Sequence, residues 1–453
     1  MDKVKNANIY VLNNKYKVNK TYRNKFHMEP TIGWMNDPNG LIFFDGEFHL
    51  FYQHYPYNSL PGDMGWGHFI SKDLIKYEEV DIALMPEGKE YGECGCWTGS
   101  SFIEDKKMKI VYTRHFDRYP EANIQTQHFV LTDDNINFKK EKLPCIDNNE
   151  LPSDLSTADF RDPQIFYYDE KCYMIIGCQN INKQGVFVIY SGKNSSSLHY
   201  DFSFGPYKNT EKMVECPSFF RVGDIDVIVY SSFRDDGTNG VFYLLGEFDP
   251  KNKKFNIVSE GEIDTGDAFY APKVIENYEI KTIVGWMENW NKKYKTHEMN
   301  HGYAGAFTIP RIIDIRDNKL YQSIHPNLFG YIKEEKELTS DDYIHRHSLN
   351  SFEFCSDFEI VLEGNDGKLI IYKEDESIYL DMNFSNNLHE MIHQSKNRYE
   401  SGNLTVLLDT SSIEIFINSG IETITSRFYI LGDKFKVYFK GLEKITSKKI
   451  TVE

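Results

Sequence analysis

One short pattern, a polar or Gly turn followed by a run of apolar and aromatic residues, occurs five times and constrains the fold more than any other feature. The copies are Asp45–Gln53, Asp105–Thr113, Asp169–Gly177, Gly223–Ser231 and Asn277–Trp286. With positions 45, 105, 169, 224 and 277 as markers, the steps are 60, 64, 55 and 53 residues. Four-stranded propeller blades repeat at about 40 to 50 residues, so this slightly longer period predicts five blades around one axis. Each copy is preceded by a second apolar run: Leu41–Phe44, Ser100–Ile103, Gln164–Tyr167, Ser218–Arg221 and Lys273–Glu276. A hairpin joins the two runs, and the first strand of each blade lies nearest the axis. Residues just before the first runs should therefore converge at one end of a central channel.

Those entrances hold chemistry. They are Asn36-Asp37, Trp97-Thr98-Gly99, Arg161-Asp162-Pro163, Glu215-Cys216-Pro217 and Tyr270-Ala271-Pro272. Three carboxylates fall at equivalent places, where like charges repel and raise one another's pKa. A purely structural repeat has no use for that cost, which marks a functional site. Asp37 sits in Gly33-Trp34-Met35-Asn36-Asp37-Pro38-Asn39-Gly40, read as a tight turn that feeds a strand and holds the carboxylate in one orientation. All five tryptophans (Trp34, Trp66, Trp97, Trp286 and Trp290) lie in the repeat region. Trp34 and Trp66 are the preferred sugar platforms, the second because Gly65-Trp66-Gly67 reads as a loop tip.

Composition sets bounds on partners. A net charge of −17 over 453 residues opposes nucleic-acid binding, which phosphate contacts drive. No apolar run approaches the ~18 residues a membrane span needs, and the N-terminal 25 residues lack a signal-peptide core. A cytoplasmic location is expected. Seven cysteines without CxxC spacing suggest reduced thiols rather than a disulfide framework or a cysteine zinc site. No cofactor is expected, and oligomeric state is not legible.

After Pro310-Arg311 the pattern changes to alternating strands: Ser351–Leu362, Lys368–Asp381, Leu404–Asp409, Ile413–Asn418, Thr423–Tyr429 and Lys434–Phe439. The expected architecture is all-β, with a propeller over residues 1–325, a connector over 326–340 and a β-sandwich over 341–453.

The motifs Gly33–Gly40, Arg161-Asp162-Pro163 and Glu215-Cys216-Pro217 resemble, in order and spacing, the signatures of glycoside hydrolase family 32, the invertase and fructanase family. Phe26-His27, Phe51-Tyr52-Gln53, Trp66-Gly67-His68, Thr98-Gly99-Ser100, Gly285-Trp286-Met287, Ile309-Pro310-Arg311 and Ser411–Asn418 extend the likeness. The resemblance implies a five-bladed propeller followed by a sandwich, and cleavage of a terminal β-fructosyl linkage in sucrose, sucrose 6-phosphate or a fructan. It implies Asp37 as nucleophile, Glu215 as acid/base and Asp162 as transition-state stabiliser. Asn36, Gln53, Trp66, Ser100 and Arg161 would complete the fructose pocket, with Tyr270 and Trp286 as further substrate-binding candidates. A retaining mechanism needs one ionised and one protonated carboxyl group about 5 to 5.5 Å apart. Neighbouring carboxylates are expected to raise Glu215, while Asn36 and turn amides keep Asp37 charged.

Departures from the family pattern at Gly65, Val214, Ser218 and Ala268 point to the leaving-group side. Two other readings stay open. His389-Glu390-Met391-Ile392-His393 matches HExxH, which on a helix would present two His to zinc. A propeller that binds fructans without cleaving them is the non-enzymatic alternative, against which all three retained carboxylates argue. Arg114, His115 and Arg118 are candidate phosphate contacts.

Overall fold

The computed structural model describes residues 2–118, 123–210, 212–234, 236–290 and 292–452. The five repeat hairpins form as the pattern predicts, pairing Gly33–Phe44 with Glu47–Tyr55, Gly95–Glu104 with Lys107–Phe116 and Leu155–Tyr168 with Lys171–Asn180. The last two pair Glu215–Val222 with Ile225–Phe233 and Tyr270–Val274 with Thr282–Trp286. The marker residues are the turn residues. Asp45, Asp105, Asp169, Gly223 and Asn277 have φ between 46° and 58°, the left-handed conformation that tight hairpins demand and that Asp, Asn and Gly tolerate best.

Each hairpin starts its own antiparallel sheet, so the repeat region holds five sheets among the described residues. The first strands touch one another in chain order, and Tyr270–Val274 returns to touch Gly33–Phe44, which closes a ring. Tyr303–Ala304 pairs in parallel with Gly33 and Trp34, tying the end of the repeat region to its beginning. Apolar side chains between adjacent sheets fill the body, for example Phe166, Phe219, Tyr230 and Phe248 between the third and fourth sheets. A helix over Lys3–Asn14, absent from the sequence reading, packs Ala7 near Ile82 and Met85.

Two six-stranded sheets follow and enclose a second core that includes Phe358, Leu369, Leu404, Ile415 and Phe435. The architecture is all-β, a propeller followed by a sandwich. Ser351–Leu362, read as one run, is two strands, Ser348–Phe354 and Phe358–Glu363, and Lys368–Asp381 turns back at Asp375 and Glu376, both with positive φ. The expected connector over 326–340 is also corrected. Ile332–Leu338 is an edge strand of the sandwich paired with Ile445–Ile450, and only Leu338 in it is buried, so no apolar alternation gave it away.

The two units meet through buried charge. His27 lies between Asp409 (2.8 Å) and Glu414 (2.7 Å), and Arg311 between Asp264 (3.0 Å) and Glu414 (2.5 Å), all with fully buried side chains. Burial acts to lower His27, but its hydrogen bonds to both carboxylates outweigh this and raise it to about 9. The motif residues Phe26-His27, Pro310-Arg311 and Ser411–Asn418 thus belong to this contact rather than to a substrate site.

Candidate active site

The stretch Gly33–Gly40 is not a turn between strands, as the sequence suggested. It lies inside the strand Gly33–Phe44, and the pairing register slips between Met35 and Pro38. The other four inner strands slip at the matching place: Trp97/Gly99, Arg161/Gln164, Glu215/Ser218 and Tyr270/Lys273. Four of the five slips carry a Pro, which cannot donate to a ladder, and the second carries Gly99; all five are β-bulges, which re-aim side chains out of the sheet. Asp162, Cys216 and Ala271, each directly before Pro, are held at φ 66°, 50° and 48°. Non-Gly residues rarely adopt that conformation, and such strain gathers at functional sites.

These bulges line one pocket of about 350 Å³, where Asn36, Asp37, Gln53, Arg161, Asp162, Glu215 and Tyr270 come together. Asp37 is 9% exposed and Asp162 3%. Asp37 accepts hydrogen bonds from Asn36 Nδ2 (2.9 Å) and Thr98 Oγ1 (2.8 Å), and Trp34 Nε1 holds Asn36 Oδ1 at 2.7 Å. The Cys216 thiol lies 3.3 Å from Asp37 Oδ2 and 3.4 Å from Asp162 Oδ2, bridging the two carboxylates. Asp162 also accepts from the Cys216 backbone N–H at 2.8 Å. Glu215 is gripped at both oxygens, by Arg161 (2.9 Å) and by the Tyr270 hydroxyl (2.6 Å).

Burial, and next the charge of Asp162, pushes Asp37 up to about 6, against the pull of its hydrogen bonds from Asn36 and Thr98. The expectation that local amides would keep Asp37 low is therefore corrected: desolvation between like charges exceeds what two donors return. Burial likewise raises Asp162, opposed by Arg161 and Lys273. Burial and the adjacent carboxylates hold the Cys216 thiol well above its ordinary range, so it stays protonated and can donate.

Three predicted pocket residues lie elsewhere. Trp66 is not on a loop tip but in the strand Gly65–Ser71, fully buried against Phe51 and Met108, with Nε1 donating to Cys96 O at 3.1 Å. Gly65 is fixed by that packing, since a Cβ there would strike the Leu84 carbonyl and Met85. Ser100 sits deeper on the axis, where its Oγ accepts from Ile165 N at 3.3 Å. Trp286 is sealed in an aromatic cluster with Trp34, Trp290 and Tyr294. Trp34 too is fully buried and meets the pocket through its hydrogen bond to Asn36 and its packing on Trp290. A tryptophan beside a motif fits core packing as well as stacking, and sequence cannot separate them.

Cys216, Thr98, Pro61, Gly62, Met64, Trp97 and Trp290 complete the lining, whereas Gly65, Val214, Ser218 and Ala268 do not reach it. Thr98 was visible as a blade-entrance residue; Pro61–Met64 carried no signal. Trp97 stacks on His115 at 3.7 Å between ring centroids, and the Arg161 guanidinium lies 6.0 Å from the centre of the Trp97 ring. Arg114 pairs with Glu87 rather than facing the pocket. His389 and His393 do not share a helix: residues 388–391 are irregular and His393 is in the short strand Ile392–Gln394, so the zinc arrangement is not formed.

One desolvated carboxyl group beside a second that is ion-paired and fixed at both oxygens, within a propeller, is the arrangement of a two-carboxylate glycosidase. The comparisons agree. The glycosyl hydrolases family 32 N-terminal domain matches residues 27–324 and the family 32 C-terminal domain residues 330–452. A sucrose-6-phosphate hydrolase of Zymomonas mobilis is 30% identical, over 91% of this chain and 88% of its own. A raffinose invertase of Escherichia coli is 29% identical over 90% of each chain. The structure of a Bombyx mori family 32 β-fructofuranosidase variant in complex with sucrose superimposes with a TM-score of 0.86, 25% identity and 99% coverage of both chains. The chain belongs to glycosyl hydrolase family 32.

Proposed function

We propose that this protein is a retaining β-fructofuranosidase that releases the terminal fructosyl unit of sucrose or sucrose 6-phosphate. The observation that carries the reading is the convergence of Asp37, Asp162 and Glu215 at one pocket, with Cys216 bridging the first two. Asp37, ionised above about pH 6, attacks the anomeric carbon of the fructosyl unit while Glu215 gives its proton to the departing glycosidic oxygen. Glu215 then takes a proton from water, which attacks the same carbon, frees fructose and restores Asp37. Asp162 opposes the positive charge that builds on the sugar ring in both steps. Asn36, Gln53, Arg161 and Tyr270 bind fructose hydroxyls or hold the carboxyl groups.

The five sheets are read as five blades of one propeller covering residues 1–325, with the sandwich taking over from the edge strand Ile332–Leu338. The seven unpaired cysteines fit a reducing compartment such as the cytoplasm. Among the described residues no helix is long and apolar enough to cross a membrane.

Fructose release from sucrose by Asp37→Ala and Glu215→Ala tests the assignment. Both are expected to lose it completely, and normal turnover by either refutes it. Comparing kcat/KM on sucrose, sucrose 6-phosphate and inulin ranks the substrates.

A further inference from the structure

Behind the catalytic pocket the axis holds a second, smaller space, lined by residues that follow the bulges of the inner strands: Ser100, Gln164, Ser218 and Lys273. Lys273 alone of these four is charged, and it is 3% exposed. Among the described residues its ammonium makes no ion pair, and its hydrogen bond runs from Nζ to Pro217 O at 3.0 Å. That carbonyl ends the Glu215-Cys216-Pro217 bulge, whose Cys216 N–H donates to Asp162 at 2.8 Å. An ammonium taken out of water without a contacting carboxylate is costly unless opposite charge close by offsets it.

The groups around Lys273 show where that offset lies. Facing it are Asp162 and Cys216 from the third and fourth inner strands and Glu276 just beyond its own. Burial pushes Glu276 up to about 7, against its hydrogen bond from Gln164 and the charges of Lys281 and Lys273, so below neutrality Glu276 is largely uncharged. Cys216 stays a thiol. Asp162 is left as the negative charge that Lys273 meets: burial raises it, Arg161 and then Lys273 lower it, and Glu215 adds a smaller rise. The count of charges gives the same answer. When Glu215 carries its proton, Asp37 and Asp162 hold two negative charges and Arg161 supplies one positive charge. Lys273 supplies the second from outside the pocket lining.

We propose that Lys273 is a positioning residue of the reaction, an axial ammonium that keeps Asp162 ionised opposite the developing sugar cation and holds the Glu215-Cys216-Pro217 bulge through Pro217 O. The proposal rests on the fructosidase reading above. It places a determinant of the pH range of activity behind the pocket, out of reach of the substrate.

The test is the pH profile of kcat on sucrose for the unaltered chain, Lys273→Gln, Lys273→Met and Glu276→Gln. Gln keeps a donor for Pro217 O and removes the charge, whereas Met removes both. Asp37 and Asp162 repel one another, so they titrate as a coupled pair and the acid limb reports that pair. Loss of the ammonium favours proton uptake, so both Lys273 variants should move the limb upward by about one pH unit, and Met adds a loss independent of pH. For Lys273→Gln, kcat should fall about tenfold at pH 5.5 but less than about threefold at pH 8, with KM changed less than about twofold. Glu276→Gln, which replaces a group already protonated at the limb, should leave it within about 0.3 pH unit. Four results overturn the proposal: a loss by the same factor at every pH in Lys273→Gln, a limb that moves in Lys273→Met alone, a Glu276→Gln shift as large as that of Lys273→Gln, or failure of both Lys273 variants to fold. Absence of sucrose turnover in the unaltered chain would instead count against the fructosidase reading itself.

Discussion

Replacing Asp37 by Asn should abolish fructose release and, above neutrality, make the protein more stable. A carboxyl group whose folded pKa is raised contributes stability that is full below its unfolded value and is lost as pH rises through the folded value. For Asp37 the window runs from the ordinary 3.8 to about 6. At 1.36 kcal/mol per pH unit, ionising this buried group costs the native state about 3 kcal/mol by pH 7.5. Asn carries no charge and so avoids that cost. It keeps one acceptor for the bonds now made by Asn36 and Thr98 and loses the other, a penalty of about 1 kcal/mol. The net expectation is a gain of about 2 kcal/mol at pH 7.5 that fades to zero or slightly below at pH 4. Urea denaturation of the unaltered chain and Asp37→Asn at both pH values reads this directly from the midpoints. A gain of equal size at both pH values, or a loss at pH 7.5, would refute the claim that desolvation and Asp162 strain the ionised carboxylate.

Three further outcomes follow from the same geometry. The pH profile of kcat/KM should fall on the acid side with a limb near pH 6, because Asp37 must be ionised to attack; full activity at pH 4.5 contradicts this. Thr98→Val removes a donor to Asp37 Oδ2 and should move that limb upward by about one to two pH units, with kcat reduced about tenfold. An unmoved limb would show that Thr98 does not tune the nucleophile. Arg311→Met leaves Asp264 and Glu414 buried without their shared cation and should cost about 3 to 5 kcal/mol in urea denaturation. A loss below about 1 kcal/mol would mean the contact between propeller and sandwich does not depend on this pair.

The sequence alone determined the elements with strict local requirements. Hairpin turns need residues that accept positive φ, so Asp45, Asp105, Asp169, Gly223 and Asn277 marked all five hairpins, and the runs beside them marked the paired strands. Because the repeat spacing is regular, it also placed Asp37, Asp162 and Glu215 at equivalent positions and hence near one another. Tertiary structure decided everything that depends on neighbours distant in the chain. It buried Trp66 and Trp286 between sheets, since an indole beside a motif satisfies core packing and sugar stacking equally well until its surroundings exist. It raised the carboxyl groups of both Asp37 and Asp162, because desolvation is a property of the assembled pocket. It turned Phe26-His27, Pro310-Arg311 and Ser411–Asn418 into one buried ionic contact whose partners lie up to 387 residues apart. It also brought residues 389–396 of the sandwich beside Trp290, a meeting that no spacing in the sequence encodes.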